Sequence, residues 1–178
     1  MSKVAKSSPY PRLAPVDRKT GAVNVVIETP RNCRNKFKFD EKLGLFRLNS
    51  VLPAGSVFPF DFGYVPGTKA DDGDPVDVLL WLDEPVFTGC VVRARLIGVL
   101  EAEQTEDCKT ERNDRLLAVA CDSRDHEHMR SEKDIERHLR KEIEHFFVSY
   151  HQLTRSCFKV LGYRGPSAAK RMLKKKLL

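Results

Sequence analysis

A chain of 178 residues, 41% hydrophobic and 31% charged, is the size of one domain with a core that needs no staples. Its five cysteines are an odd number with no C-x-x-C pair, which argues against a disulfide framework or a zinc site and for reduced thiols in a cytoplasm. No apolar run approaches membrane-spanning length, and the polar, proline-rich amino terminus is unlike a signal peptide. The net charge of +6 suits an anionic partner, but much of it lies at the ends, in Lys3, Lys6, Arg12, Arg18 and Lys19, and then in Lys170, Arg171 and Lys174 to Lys176. Such runs read as solvated tails or helix faces, so neither nucleic acid nor membrane is expected as a partner.

Residues 1–22 carry Pro9, Pro11 and Pro15 among polar residues and are expected to form an extended arm ahead of a single domain over 23–178. Strand signals follow at Val23 to Glu28, Lys36 to Asp40, Leu43 to Leu48, Val76 to Leu82, Cys90 to Glu101 and Arg115 to Cys121. They are apolar runs broken by Pro, Gly, Asn and Asp. Asp40-Glu41-Lys42-Leu43-Gly44 reads as a hairpin turn. Strands this close together, with few helices between them, favour an antiparallel barrel over a βαβ layout. Ser131 to Asp134 resembles a capping box, and Ile135, Leu139, Ile143, Phe146, Phe147, Tyr150 and Leu153 then recur at helical spacing, an apolar stripe to face the barrel. A second helix is expected from Pro166, a good first-turn residue.

The most informative segment is Asp71-Asp72-Gly73-Asp74-Pro75-Val76-Asp77, four carboxylates in seven positions leading into Val78-Leu79-Leu80-Trp81-Leu82. Like charges at this density raise one another's pKa unless a cation sits among them. Gly73 permits a tight turn and Pro75 fixes φ. Carboxylate oxygens suit Mg²⁺, Mn²⁺ or Ca²⁺ rather than zinc. The spacing is not that of an EF-hand, because counting from Asp72 puts Asp77 at the position that requires glycine. His126, His128, His138, His145 and His151 lack zinc spacing and are not read as ligands.

Asp72-Gly73-Asp74-Pro75-Val76-Asp77 matches the signature of the soluble inorganic pyrophosphatases of the barrel family. Val25 to Pro30, Asn35-Lys36-Phe37, Phe58 to Tyr64, Gly98-Val99-Leu100 and Ile143 to Tyr150 resemble that family in order, so the likeness spans about residues 22 to 173. The resemblance implies an α+β, mainly β fold: a five-stranded, OB-like closed barrel with two or three helices packed outside it and a site in its mouth. It implies Mg²⁺-dependent hydrolysis of pyrophosphate to two phosphates, Mn²⁺ being an alternative ion, in a homo-oligomer. It assigns Asp72, Asp77, Glu28 and Asp74 to metal, Asp74 also to generating the nucleophile with Tyr150 beside it, and Lys36 and Tyr150 to phosphate oxygens, with Arg115 a candidate to bind phosphate by supplying the positive charge of the family's lysine.

Several positions depart from the family pattern. Lys38 stands where Glu is common, Ser50 where Arg binds phosphate, and Phe58 and Phe62 where the family has tyrosines. Asn113-Asp114-Arg115 replaces an Asp-spacer-Lys run, Gln104 falls near a metal-binding Asp, and His151 follows Tyr150 where Lys is common. Glu103, Glu106 and Asp114 are candidate replacement carboxylates. These losses leave open a second reading, a degenerate relative that binds metal and phosphate or acts on another small phosphoanhydride. A third, an OB-like nucleic-acid binder, needs Phe58, Phe60 and Phe62 exposed as a stacking surface. All matched site residues lie between Glu28 and Tyr150, so the basic carboxyl-terminal run is expected to be dispensable for catalysis.

Overall fold

A computed structural model describes residues 13–40, 42–153 and 156–178. Among them the apolar runs become nine strands and two helices. The strands are β1 (Val23–Thr29), β2 (Asn35–Asp40), β3 (Leu45–Val51), β4 (Asp61–Val65), β5 (Val76–Trp81), β6 (Val91–Glu106), β7 (Lys109–Arg112), β8 (Arg115–Ala120) and β9 (Cys157–Arg164). The helices are α1 (Arg137–Leu153) and α2 (Pro166–Lys176). No described helix is long and apolar enough to cross a membrane.

Pairings of β1 with β4, β4 with β5, β5 with β8, β8 with β6 and β6 with β1 make a ring-like sheet. The architecture is mainly β with two helices, as predicted. One pairing departs from the antiparallel reading: β5 and β8 run parallel. The segment between them contains β6, which crosses antiparallel to β8, so the chain returns beside β5 in its original direction. The strands alternate between two cores. Val78 and Leu80 of β5 join Val25, Val65, Leu96 and Leu116 in a cluster drawn from all five ring strands. Leu79 and Trp81 face the other way, with Phe62, Leu117, Ile143 and Phe147 beneath α1. This is the period-two pattern of a strand buried on both faces.

Sequence pattern did not announce β4, β7 or β9. Gly63 interrupts β4, and its lack of a side chain is structural, since a Cβ there would lie 2.2 Å from the Val26 carbonyl oxygen. Phe58, Phe60 and Phe62 are all buried in the core beneath α1, so they form no surface on which bases could stack. The capping box at Ser131 is present but caps a single 3₁₀ turn (Glu132–Asp134), and α1 begins only at Arg137. Ile135 is buried ahead of the helix. Residues 1–12 of the expected arm lie outside the described residues, as does Glu41 in the hairpin turn. The described part of the arm turns back on β1, with Val16 bridging Val23 and Asn24 N–H donating to the Pro15 carbonyl at 2.9 Å.

Of the two readings of the basic carboxyl terminus, the helix face holds: Lys170, Arg171, Lys174 and Lys175 lie exposed on α2, and the chain end beyond them is tied down. Lys69 N–H donates to the Lys176 carbonyl at 2.8 Å, Leu178 N–H to the Gly67 carbonyl at 3.1 Å, and Thr68 bridges Leu177. The Lys176 ammonium also pairs with Asp71. The chain end thus straps the base of the acidic loop. Thr68 anchors the loop from inside, its hydroxyl donating to the Val65 carbonyl at 2.6 Å and accepting from Val76 N–H at 2.9 Å. Removing Lys174–Leu178 is expected to cost about 1–2 kcal/mol, two backbone hydrogen bonds, and to lower the melting temperature by about 2–4 °C per kcal/mol. Amide exchange across Gly67–Val76 should quicken; unchanged exchange there would show that the strap holds nothing.

Candidate active site

Strand alternation sends Lys36 and Lys38 of β2 to one side and Phe37 and Phe39 to the other. The β2–β3 hairpin is not paired into the ring; it is tied to β1 by side chains. Thr29 Oγ1 accepts from Phe37 N–H at 3.1 Å, and Glu28 Oε1 from Phe39 N–H at 2.9 Å. The hairpin closes as predicted over Asp40, whose Oδ1 accepts from Lys42 and Leu43 N–H groups, with Gly44 at φ 68°. Both lysines therefore overhang the mouth of the ring.

The acidic loop reaches the same place from β5. Gly73 takes φ 90°, and Asp72 Oδ1 accepts from Asp74 N–H at 3.1 Å, an Asx turn that fixes the two carboxylates relative to each other. Asp77 and Arg115 meet because β5 and β8 are parallel. Val78 stands opposite Leu116, so the preceding residues stand side by side, with Arg115 Nη2 3.6 Å from Asp77 Oδ2. Arg115 is buried, its guanidinium 4.7 Å from the Phe147 ring and 5.0 Å from Phe158. Its Nη1 donates to the Asn113 carbonyl at 2.6 Å and to Asn113 Oδ1 at 2.7 Å, while Nε has no hydrogen-bond partner. Tyr150, one face of α1, completes the wall, its hydroxyl 2.8 Å from Lys36 Nζ.

Glu28, Lys36, Asp72, Asp74, Asp77, Arg115 and Tyr150, every residue nominated from the sequence, line one cavity of about 620 Å³. Lys38 lines it too, with its ammonium 2.7 Å from Asp74 Oδ2. Of the candidate replacement carboxylates, Glu106 lines the cavity. Asp114 does not; it accepts from Ala102 N–H at 2.9 Å and pairs with Arg112 at 2.8 Å, so it serves the β6–β8 junction. Asn113 faces the cavity instead and donates to Gln104 Oε1. Two amides hold each other where the family pattern has carboxylates. Sequence reading missed Lys109, Glu111 and Arg112, which reach the cavity from β7. Asp107 and Cys108, at φ 48° and 62°, make the tight turn that brings them there, and no glycine marks it.

Burial raises the pKa of Glu28 to about 7, with Asp77 adding to the rise and the Phe39 N–H, Lys36 and Lys38 opposing it. Burial also raises Asp77 against the pull of Arg115, and raises Asp72, where the Asp74 charge adds. Burial next to Arg115 and Lys36 lowers His151 to about 3, leaving it neutral where the family pattern has a lysine. Its ring stacks on Phe158 at 4.7 Å, with Nδ1 3.0 Å from Ser156 Oγ.

These carboxylates fit a hard divalent cation: the donors are oxygen, and a cation would relieve the cost that raises three of them. Among the described residues no three Asp, Glu, His or Cys side chains already converge closely enough to hold an ion. Lys38 sits on Asp74 and Arg115 beside Asp77.

The inorganic pyrophosphatase family model matches residues 25–177. The chain belongs to the inorganic pyrophosphatase family. An inorganic pyrophosphatase from a Synechocystis strain is 37% identical over 86% of this chain and 89% of its own. The crystal structure of inorganic pyrophosphatase from Thermus thermophilus superposes with TM-score 0.84 at 32% identity, covering 91% of this chain and 92% of that one. That from Neisseria gonorrhoeae does so with TM-score 0.83 at 33% identity over 92% and 94%. The shared pyrophosphatase fold thus extends over nearly the whole chain.

Glu28 gives this pyrophosphatase a pH signature. Its folded pKa of about 7 exceeds its ordinary 4.5, so the folded state binds the proton more tightly than the unfolded state. That contribution to stability is fully present below pH 4.5 and is lost as pH rises through 7, about 3 kcal/mol at most. In metal-free protein, Glu28→Gln is expected to match the parent below pH 4.5 and to exceed it increasingly up to pH 7.5 in denaturant unfolding. A difference independent of pH would place the titration elsewhere.

Proposed function

We propose that this chain hydrolyses inorganic pyrophosphate to two phosphates with Mg²⁺, or Mn²⁺ in its place, and that Asp74, Lys36, Arg115 and Tyr150 act directly on substrate or water. The observation that carries the reading is the convergence of acidic and basic donors from five separate segments of the chain on one cavity, within a family of inorganic pyrophosphatases. Glu28, Asp72, Asp74 and Asp77 would hold the metal, which when bound neutralises phosphoryl oxygens and acidifies a water. Lys36 Nζ and Tyr150 OH, held against each other, present donors to one phosphoryl group, and Arg115, buried in the cavity wall, adds a fixed positive charge. Burial over Phe147 and Phe158 holds the guanidinium in place, so little ordering is left for substrate binding. Asp74, on its rigid turn, accepts the water's proton or orients the water for attack.

The same reading includes a single domain over 23–178 and the OB-like closed barrel, for which the cycle of five strand pairings is support. It places the protein in the cytoplasm, consistent with five free cysteines. It also includes a homo-oligomer, for which Leu43, Leu45 and Leu48, each more than half exposed on the β2–β3 hairpin, offer apolar surface. The second reading, action on another small phosphoanhydride, draws support from the Gln104–Asn113 amide pair and from Ser50, which stands opposite Lys36 without lining the cavity. Fewer carboxylates and one arginine less alter how the distal phosphate is held.

Phosphate release from pyrophosphate with saturating Mg²⁺ tests the proposal. Asp74→Asn is expected to lower turnover by about 10²–10⁴-fold with the fold intact. If the parent chain releases no phosphate from pyrophosphate but does so from tripolyphosphate, the second reading replaces the first; release from neither refutes both hydrolytic readings.

A further inference from the structure

The cavity contains a cation that the family pattern does not. Lys38 alternates with Phe39, whose N–H is held by Glu28, so its stem leaves β2 directly above the carboxylates. Its ammonium lies 2.7 Å from Asp74 Oδ2, and Glu28 and Asp77 also act on it through their charge. A lysine ammonium is a compact point charge, and at 2.7 Å it already occupies one oxygen of the Asp74 carboxylate. Lys38 and Asp74 are each about half exposed, at 48% and 55%, so the pair can open without disturbing the core.

We propose that Lys38 is a built-in cation that competes with the divalent ion for the Asp74 carboxylate, so that this residue sets how much metal the site requires. The proposal rests on the metal-dependent reading above. In the metal-free protein the ammonium offsets the Asp74 charge and pins the acidic loop against β2. A metal ion that takes Asp74 displaces Lys38, and the released ammonium is then free to meet a phosphate oxygen. The position that in the family pattern adds a carboxylate to the metal shell here subtracts one.

The test is a Mn²⁺ binding isotherm on the full chain without substrate, for the parent, Lys38→Met, Lys38→Arg, Asp74→Asn and the Lys38→Met/Asp74→Asn double variant. Lys38→Met keeps the length of the stem and removes the charge. It should tighten Mn²⁺ binding about tenfold, equivalent to about 1.4 kcal/mol, while Lys38→Arg stays near the parent. In the Asp74→Asn background, Lys38→Met should have a much smaller effect, because the contested ligand is gone and only the longer-range charge on Glu28 and Asp77 remains; a double-mutant cycle isolates this coupling. A gain of equal size in both backgrounds would reduce Lys38 to a general field effect and overturn the proposal, as would an isotherm unchanged by Lys38→Met. Unchanged isotherms with normal phosphate release sink only the role of Lys38. A tenfold gain without phosphate release keeps that role and sinks pyrophosphate hydrolysis. If no variant binds Mn²⁺, the metal reading and this proposal fall together.

Discussion

The parallel alignment of β5 with β8 is the constraint on which the site depends. It places Asp77 and Arg115 at neighbouring strand starts, 3.6 Å apart. From there the remaining groups are delivered by elements that join or pack on the same ring of strands. The acidic loop runs directly into β5, and α1 packs Phe147 against Arg115. β2 hangs from β1 through Glu28 and Thr29. A buried guanidinium beside a carboxylate is costly to desolvate and is tolerated when its remaining donors are satisfied. Asn113 satisfies two of them and the aromatic rings cover its faces, while Nε is buried without a partner.

Much of this was legible in the sequence because its signals are local. The apolar runs that became β1, β5 and β8 are nearly continuous, as is β6 over 96–100, which is what burial on both faces demands. The proline at the start of α2 and the hairpin turn at Asp40 obey rules a few residues long. What escaped depends on long-range contact. β4 reads as a loop because Gly63 breaks its pattern, and only the approach of the Val26 carbonyl explains that glycine. β7 and β9 are short or half-exposed strands added to the far half of β6, where the partner strand rather than local propensity decides the conformation. The parallel pairing was invisible for the same reason, since it depends on the path of residues 82–114.

The acidic loop of the site was the easiest part to find and its surroundings the hardest. Four carboxylates within seven positions are visible to any charge count. Lys36 and Tyr150 are separated by 114 residues, and nothing in either neighbourhood records that their polar atoms stand 2.8 Å apart. Asp114 illustrates the opposite error. Its sequence position made it a candidate replacement ligand, yet in the link between β7 and β8 it pairs with Arg112, while Asn113 and Arg115 line the cavity. The carboxyl-terminal lysines read as a solvated tail or a helix face, and the helix face is what forms on α2, with Lys174 and Lys175 exposed; only Lys176, about one-fifth exposed, turns in and closes on Asp71.

Charge balance links these details to chemistry. Glu28, Asp72, Asp74 and Asp77 face Lys36, Lys38 and Arg115 across one cavity. A cavity with the carboxylates alone would strongly attract divalent ions and, without them, repel any phosphate. Each fixed cation reduces both tendencies at once, because the same charge that draws an anionic oxygen repels a metal ion. Replacing one carboxylate by Lys38 and others by the amides Gln104 and Asn113 therefore moves this site along a single axis, from a metal-rich shell toward a protein-supplied one. On the proposed reading, anion recognition then falls more heavily on Lys36, Arg115 and Tyr150. Lys38 differs from those three in being half exposed and paired to a half-exposed carboxylate, so on the proposal above its partner changes as metal and phosphate enter.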